Sequence, residues 1–370
     1  GRRTGEWRLE PFRFQDARLF FPGRSAEDQV AFYGVLGGIP AYLERFDPDD
    51  SLARNIKGRL LTPVNLLQEE LDRPAQVGRG IRAGSIFMLP VYIGIAVLVG
   101  RYHDKPWDDP DQPLIFTIGP LTGYFPLMSK TVCAFKSPYH DQYAESHAGG
   151  RSALSLKFAN LDALVIVGKA PTPVCLAVGA HQLDIQDVHF LWGKNVKSTG
   201  KQLRRMFPGS GHRSILRIGP AGEIGAAMAG INVDTYRHFG RLGGGAVMGV
   251  KNIKGIVIEG DDMFELPAGK EYQKLFQNVY DQLTTTDMMK KYHDLGTPAN
   301  IAVLNNLKAL PCRNLQQTSD PQIRGITGEA FAEETLLRNQ ACSGCPIGCI
   351  HLGYVREKFH QDHRYYFFQV

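Results

Sequence analysis

Apolar positions along this chain keep two different rhythms. Up to about residue 84 they fall at helical spacing among charged residues, in SAEDQVAFYGVLGGIPAYLERF and SLARNIKGRLLTPVNLLQEELDRP, with Ser25 and Ser51 placed as N-caps and Pro and Gly as breaks. Beyond that point LIFTIG, LDALVIVGKA, PVCLAVGA, SILRIGP and IKGIVIEGD are short β-branched or apolar runs bounded by Gly, Pro and Asp, which predicts strands. From about residue 264 the helical spacing returns. KEYQKLFQNVYDQL sets Tyr272, Leu275, Phe276, Val279 and Leu283 along one face, and Thr297-Pro298 reads as the N-cap and first-turn proline of another helix. The pattern predicts an α+β chain: a helical segment over 1–86, a sheet-rich domain over 87–262, and the start of a helical domain over 263–370.

One stretch could alter that picture. AGSIFMLPVYIGIAVLVG, between Arg82 and Arg101, carries no charge over a length close to a membrane span. Pro90, its glycines and its β-branched and aromatic residues favour a buried strand followed by a helix start. Composition agrees, since 43% hydrophobic and 21% charged residues describe an ordinary globular chain. The 42 basic against 37 acidic residues leave +5, with no Lys/Arg block or interleaved aromatics for a nucleic-acid groove. Six cysteines, three of them clustered, do not make a disulfide framework, and GRRTGEWRLE lacks the apolar stretch of a secretory signal. A cytoplasmic setting is expected.

The clustered cysteines carry the sharpest chemistry. Cys342, Cys345 and Cys349 stand in ACSGCPIGC at C-x2-C-x3-C spacing, and Gly344, Pro346 and Gly348 allow the tight backbone that aims three thiolates at a metal centre. The spacing admits zinc, which His351 could complete, or an iron–sulfur cluster, which would need a further cysteine. A radical-generating cluster usually reads C-x3-C-x2-C, the reverse order. Cys133, Cys175 and Cys312 are scattered singles and read as buried small hydrophobes.

Three glycine-bearing stretches stand out in the sheet-rich part: AESHAGG (144–150), IGPAGE (218–223) and YRHFGRLGGGAVMG (236–249). Successive glycines let backbone N–H groups approach an anion, and Arg237 and Arg241 would add charge-assisted bonds to a phosphate, so a phosphate-bearing cofactor is implied. Turns with surface arginines are the plainer alternative. No Walker A sequence occurs, and GRLGGGAVMG does not fit the G-x-G-x-x-G register.

Taken in order, GPLTG, FKSP, ESHAGG, LKFANLDALVIVGKA, LWGK, IGPAGE, GRLGGGAVMGVKNIKGIVIEG and CSGCPIGC make the chain resemble the aldehyde ferredoxin oxidoreductase family from about Val91 onward. The resemblance implies a sheet-rich pterin-binding domain and a tungsten, or molybdenum, bis-pterin centre beside a [4Fe-4S] cluster. It further implies oxidation of an aldehyde with water to a carboxylic acid, and ferredoxin as electron acceptor. A homo-oligomeric assembly is compatible with it. Carried over residue by residue, it implies Cys342, Cys345 and Cys349 as three cluster ligands and Lys130, His147, Gly149, Arg237, His238 and Gly240 as pterin contacts. Lys130 stands where arginine is usual and His147 where asparagine is, and a lysine meets phosphate as a point charge without the bidentate fork.

The resemblance also implies that the fourth cysteine and the catalytic Glu and His would fall after Val370, so residues 1–370 alone are expected not to oxidise aldehydes. The piece RTGEWRLEPFRFQDARLFF with the helical stretch after it resembles the late part of a prokaryotic or archaeal AAA-type ATPase, without its nucleotide site. A chimeric or truncated frame would account for that junction. The other class of reading is a non-catalytic module, pterin-binding or stabilised by structural zinc.

Overall fold

The computed structural model describes residues 18–25, 29, 47–50, 104–119, 121–209 and 212–353. The helices expected before residue 86, the uncharged 83–100 stretch and the ATPase-like piece lie almost entirely outside the described residues.

The strand-like runs form strands. Leu114–Ile118 (β1), Thr131–Lys136 (β2), Tyr143–Ala148 (β3) and Ala163–Ile166 (β4) make an antiparallel sheet in the order β3-β2-β1-β4. A second sheet holds Val174–Val178 (β5), Leu183–Asp187 (β6), His212–Arg217 (β7), Ile231–Val233 (β8), Arg237–Phe239 (β9) and Ile253–Gly260 (β10), ordered β6-β5-β10-β7-β8-β9. Its centre is parallel, with β10 beside β5, and antiparallel on β10's other side, against β7.

Helices Ser152–Phe158 (α1), Val196–Met206 (α2), the single turn Pro220–Glu223 (α3) and Gly244–Val250 (α4) cover these sheets. Period-two alternation sorts the central strands between two cores. Val174, Leu176 and Val178 of β5 with Ile256 and Ile258 of β10 face the main core, shared with β1, α1 and α4. Cys175, Ala177 and Val257 face a second core under α2, with Leu203 and Phe207. Burial on both faces explains why these runs read as continuously apolar. Phe116 and Phe239 join the two sheets, their rings 5.6 Å apart.

The later part is helical as expected: Lys270–Thr284 (α5), Asp287–Leu295 (α6), Ile301–Asn306 (α7) and Gly328–Glu334 (α8). Tyr272, Leu275 and Val279 of α5 pack on Leu121 and Phe125, while Phe276 of the same stripe is 37% exposed. Thr297 does not cap a helix. Gly296, at φ 64°, takes that place and Thr297-Pro298 opens a short 3-10 turn that leads into α7. Cys133 and Cys175 are buried, but Cys312 is only half-buried, in an isolated bridge to Gln317, so it is not a core residue. A hairpin of Leu336–Gln340 (β11) and Ile350–Gly353 (β12) ends the described chain. Among the described residues no helix is long and apolar enough to cross a membrane.

Candidate cofactor site

All three clustered cysteines lie in the nine-residue connection of the β11–β12 hairpin. Gly344 and Gly348 take φ 68° and 64°, the left-handed turns that L side chains resist. Distant segments pin the loop: Ser343 N–H donates to the Gly150 carbonyl (3.0 Å), Leu127 N–H to that of Gly344 (3.1 Å), and Cys345 N–H to that of Cys342 (3.2 Å). His293, near the end of α6, clasps it from the other side. Its Nδ1–H donates to the Ile347 carbonyl at 2.6 Å, and its own carbonyl accepts from Asn339 Nδ2 at 2.7 Å. Sequence reasoning missed His293, which has no motif around it and acts from 54 residues away.

The loop brings its thiols to the end of β3. A Cβ built on Gly149 would stand 2.7 Å from Cys342 Sγ and 3.7 Å from Arg237 Nε, so only glycine leaves room there. Arg237, projecting from β9, donates from Nη2 to Cys349 Sγ at 3.8 Å, and its buried Nε has no partner among the described residues. Residues 149, 237, 342 and 349 therefore form one junction. Burial pushes the Cys345 thiol up, as do the neighbouring sulfurs of Cys342 and Cys349, against the backbone N–H groups of Ile347 and Gly348, which favour the thiolate. Such a sulfur keeps its proton unless a cation takes the proton's place.

The register of β2 on β3 places the other candidates. His147 pairs with Val132 and Thr131 with Ala148, so exposed Lys130 stands one step beyond the ladder, opposite Gly149. Tyr143, Glu145 and His147 share the face of β3 that leads to Gly149. Tyr143 OH donates to Glu145 Oε2 (2.8 Å), and Glu145 Oε1 lies 3.1 Å from His147 Nε2. An ionised carboxylate only accepts, so Nε2 carries the hydrogen and a neutral ring keeps Nδ1 as its acceptor. The strand alternation of YAESHA was the available signal for this chain of three. His238 falls on the face of β9 opposite Arg237, and its ring lies over Gly240, where an added Cβ would meet it at 2.4 Å.

Other sequence candidates take different work. His351 is fully buried and turned into the helical part: Nε2 donates to the His293 carbonyl at 2.7 Å, and Nδ1 lies against Gly296. It is not placed as a fourth ligand. Among the described residues no three His, Cys, Asp or Glu side chains converge as they would around a single ion. The glycines of IGPAGE and GGGAVMG are packing devices, not a phosphate cradle. A Cβ on Gly249 would meet the Gly222 carbonyl oxygen at 1.9 Å, and one on Gly245 the Gly230 oxygen at 2.5 Å, so both let α4 close on its neighbours. Glu223 of IGPAGE binds the buried Lys254 ammonium and accepts from Gly193 N–H at 2.7 Å, while Lys254 also donates to the Lys194 carbonyl at 2.8 Å. LWGK, IGPAGE and IKGIV thus meet in one interior ion pair.

Residues 90–260 match the family described as aldehyde ferredoxin oxidoreductase, N-terminal domain, and residues 274–366 match domains 2 and 3 of the same family. The chain belongs to the aldehyde ferredoxin oxidoreductase family. It is 35% identical over 251 residues to the tungsten-containing aldehyde ferredoxin oxidoreductase of Pyrococcus abyssi, an alignment covering 66% of this chain and 41% of that one. The Pyrococcus furiosus protein of the same name is 34% identical over 264 residues, covering 69% and 43%. The chain thus spans about two fifths of the length of these relatives. Its α+β fold is that of the active-site complex BamBC of benzoyl coenzyme A reductase, solved with 1,5-dienoyl-CoA. The TM-score is 0.61 at 24% identity, over 72% of this chain and 42% of that one.

Proposed function

We propose that this chain is the cofactor-bearing part of a cytoplasmic oxidoreductase that converts an aldehyde and water to a carboxylic acid at a tungsten or molybdenum bis-pterin centre. Electrons pass through a [4Fe-4S] cluster to ferredoxin. The observation that carries the reading is the junction of Gly149, Arg237, Cys342 and Cys349. It has a glycine whose Cβ would press on the Cys342 sulfur, a buried guanidinium nitrogen without a partner among the described residues, and thiols from one hairpin loop.

These residues fit the groups the family implies. Cys342, Cys345 and Cys349 would hold the cluster. Lys130, His147, Gly149, Arg237, His238 and Gly240 would hold the pterin. Bound there, the metal centre supplies two-electron chemistry and the cluster divides the pair into single electrons. The protein's share is positioning and charge. Arg237 donates to Cys349 Sγ, and the backbone donors of Ile347 and Gly348 face Cys345, where they favour the thiolate. His147 donates from Nε2 to Glu145 and offers Nδ1 as an acceptor for an N–H.

Structural zinc is the competing reading. A tetrahedral zinc with bonds of about 2.3 Å draws its sulfurs to within about 4 Å of one another. His351, the residue that could complete a zinc site, is instead buried with Nε2 donating to the His293 carbonyl, which leaves the three thiols without a nearby fourth zinc ligand among the described residues. Anaerobic reconstitution of the full protein, followed by iron, sulfide, tungsten, molybdenum, pterin and zinc analysis, tests the choice. Iron and sulfide in cluster ratio with pterin are expected. Stoichiometric zinc without iron would overturn the proposal.

A further inference from the structure

Arginines scattered through the sequence meet in one pocket. A cavity of about 430 Å³ is lined by Arg151, Arg204, Arg213 and Arg237, drawn from the start of α1, the last turn of α2, β7 and β9. Asp234 is the one carboxylate among its lining residues, and it is committed inward, to Ser214 Oγ at 2.9 Å and Ile215 N–H at 3.0 Å. Two of the guanidiniums are also committed: Arg213 to the Phe207 carbonyl and Arg237 to Cys349 Sγ. The guanidiniums of the exposed pair, Arg151 and Arg204, make no hydrogen bond or ion pair among the described residues.

The rest of the wall decides what this charge faces. Ala341 and Ile350 line the cavity, and they are the neighbours of Cys342 and Cys349. Whatever sits in the pocket therefore rests against the cysteine loop. The two uncommitted guanidiniums, Arg151 and Arg204, are exposed and come from separate elements at the rim, which suits separate carboxylates on a partner's surface better than a single small anion. From this geometry we infer that the pocket is the docking site for the acidic face of a small iron–sulfur electron carrier, seated against the loop that would hold the cluster. The inference rests on the cofactor reading for its purpose. Charge complementarity of this kind raises the rate of encounter and fixes orientation, and it weakens as salt screens it.

Binding of an acidic bacterial ferredoxin to the full protein measures this directly, by calorimetry at about 20 mM and about 500 mM salt. The wild type is expected to bind at low salt, with Kd rising about tenfold or more at high salt. The Arg151→Glu, Arg204→Glu double variant should weaken low-salt binding by about tenfold or more and flatten the salt dependence. The Gln pair, milder toward the fold, should fall between. Arg324→Glu, an exposed reversal elsewhere, should match wild type and so controls for net charge.

Unchanged binding in both double variants, equal weakening by Arg324→Glu, or no binding by the wild type would overturn the inference. So would displacement of the carrier by inorganic phosphate at constant ionic strength, which would mark a small-anion site. The measurement needs no turnover. Absence of tungsten and pterin would show in metal analysis and sink the cofactor reading alone, leaving the docking result to stand or fall by itself.

Discussion

The interior around α3, α4 and β10 and the junction around the cysteine loop are both built from glycines and charged side chains, yet they use them oppositely. In the interior the glycines are filled by neighbouring backbone, and the charges are spent on each other: Gly249 lies under the Gly222 oxygen and Lys254 binds Glu223. At the junction Gly149 faces sulfur and a guanidinium, and the Arg237 Nε remains without a partner among the described residues. Closed interactions on one side and unfinished ones on the other distinguish a scaffold from a place prepared for a ligand.

The contrast predicts that interior substitutions cost stability, while junction substitutions cost cofactor. Gly249→Val should have the largest effect, because its Cβ meets backbone that cannot turn aside; overpacking of this kind costs about 3 kcal/mol or more, and chemical denaturation should find little folded protein. Lys254→Met should follow. It strands the Glu223 carboxylate, which is only 4% exposed, at about 3–5 kcal/mol, and adding Glu223→Leu should recover most of the loss. A Lys254→Met protein as stable as wild type would mean that the interior pair is not the lock described here.

Lys251 sharpens the interior side through pH. It is buried, donates to the Pro110 and Gly168 carbonyls at 2.7 and 3.0 Å, and burial lowers its pKa to about 8. A base whose folded pKa lies below its unfolded value of about 10.4 holds fewer protons folded than unfolded between the two, so raising the pH through that window favours the fold. Relative to Lys251→Met, wild type should gain about 2 kcal/mol between about pH 7 and 9.5 in urea melts. A parallel pH profile for the two proteins would remove this lysine's charge from the account.

At the junction, Arg237→Ala should leave the cofactor-free melt within about 1 kcal/mol of wild type, while bound pterin and tungsten fall together by several-fold. Gly240→Val should lower both further, by driving the His238 ring aside. Unchanged cofactor content in both would move the pterin elsewhere. Tyr143→Phe, the mildest change, should cost about 1 kcal/mol or less and shift the ring-nitrogen signals of His147, because the Glu145 oxygen it serves is then left to water.

Much of the fold was legible because strands with both faces buried write themselves as unbroken apolar runs, as PVCLAVGA and IKGIVIEGD do. The amphipathic face of α5 was legible for the same reason, though Phe276 at its edge remains partly open. The cysteines could be read because three thiols in one hairpin turn are local. Their surroundings could not. Gly149 reaches Cys342 across 193 positions of sequence, and a glycine that waits for a sulfur has the same spelling as Gly249, which waits for a carbonyl. His351 misled because proximity in sequence to Cys349 says nothing of direction in a strand, where alternate side chains leave by opposite faces. The arginines of the basic pocket were invisible for the complementary reason, as no two of them lie within eight residues of each other.

The hairpin loop also has a topological consequence. Its backbone is tied at Gly150, at Leu127 and at His293, segments that the chain visits at three separate times. A group bonded to Cys342, Cys345 and Cys349 would close only short loops, since the three lie within eight positions of sequence, and would stiffen the one turn that these three segments hold. Because Gly150 and Leu127 on the sheet-rich side and His293 on the helical side all bond to that turn, stiffening it would couple the two parts. Its loading would then be read at a distance, as the two parts unfolding together where otherwise the helical part could loosen first.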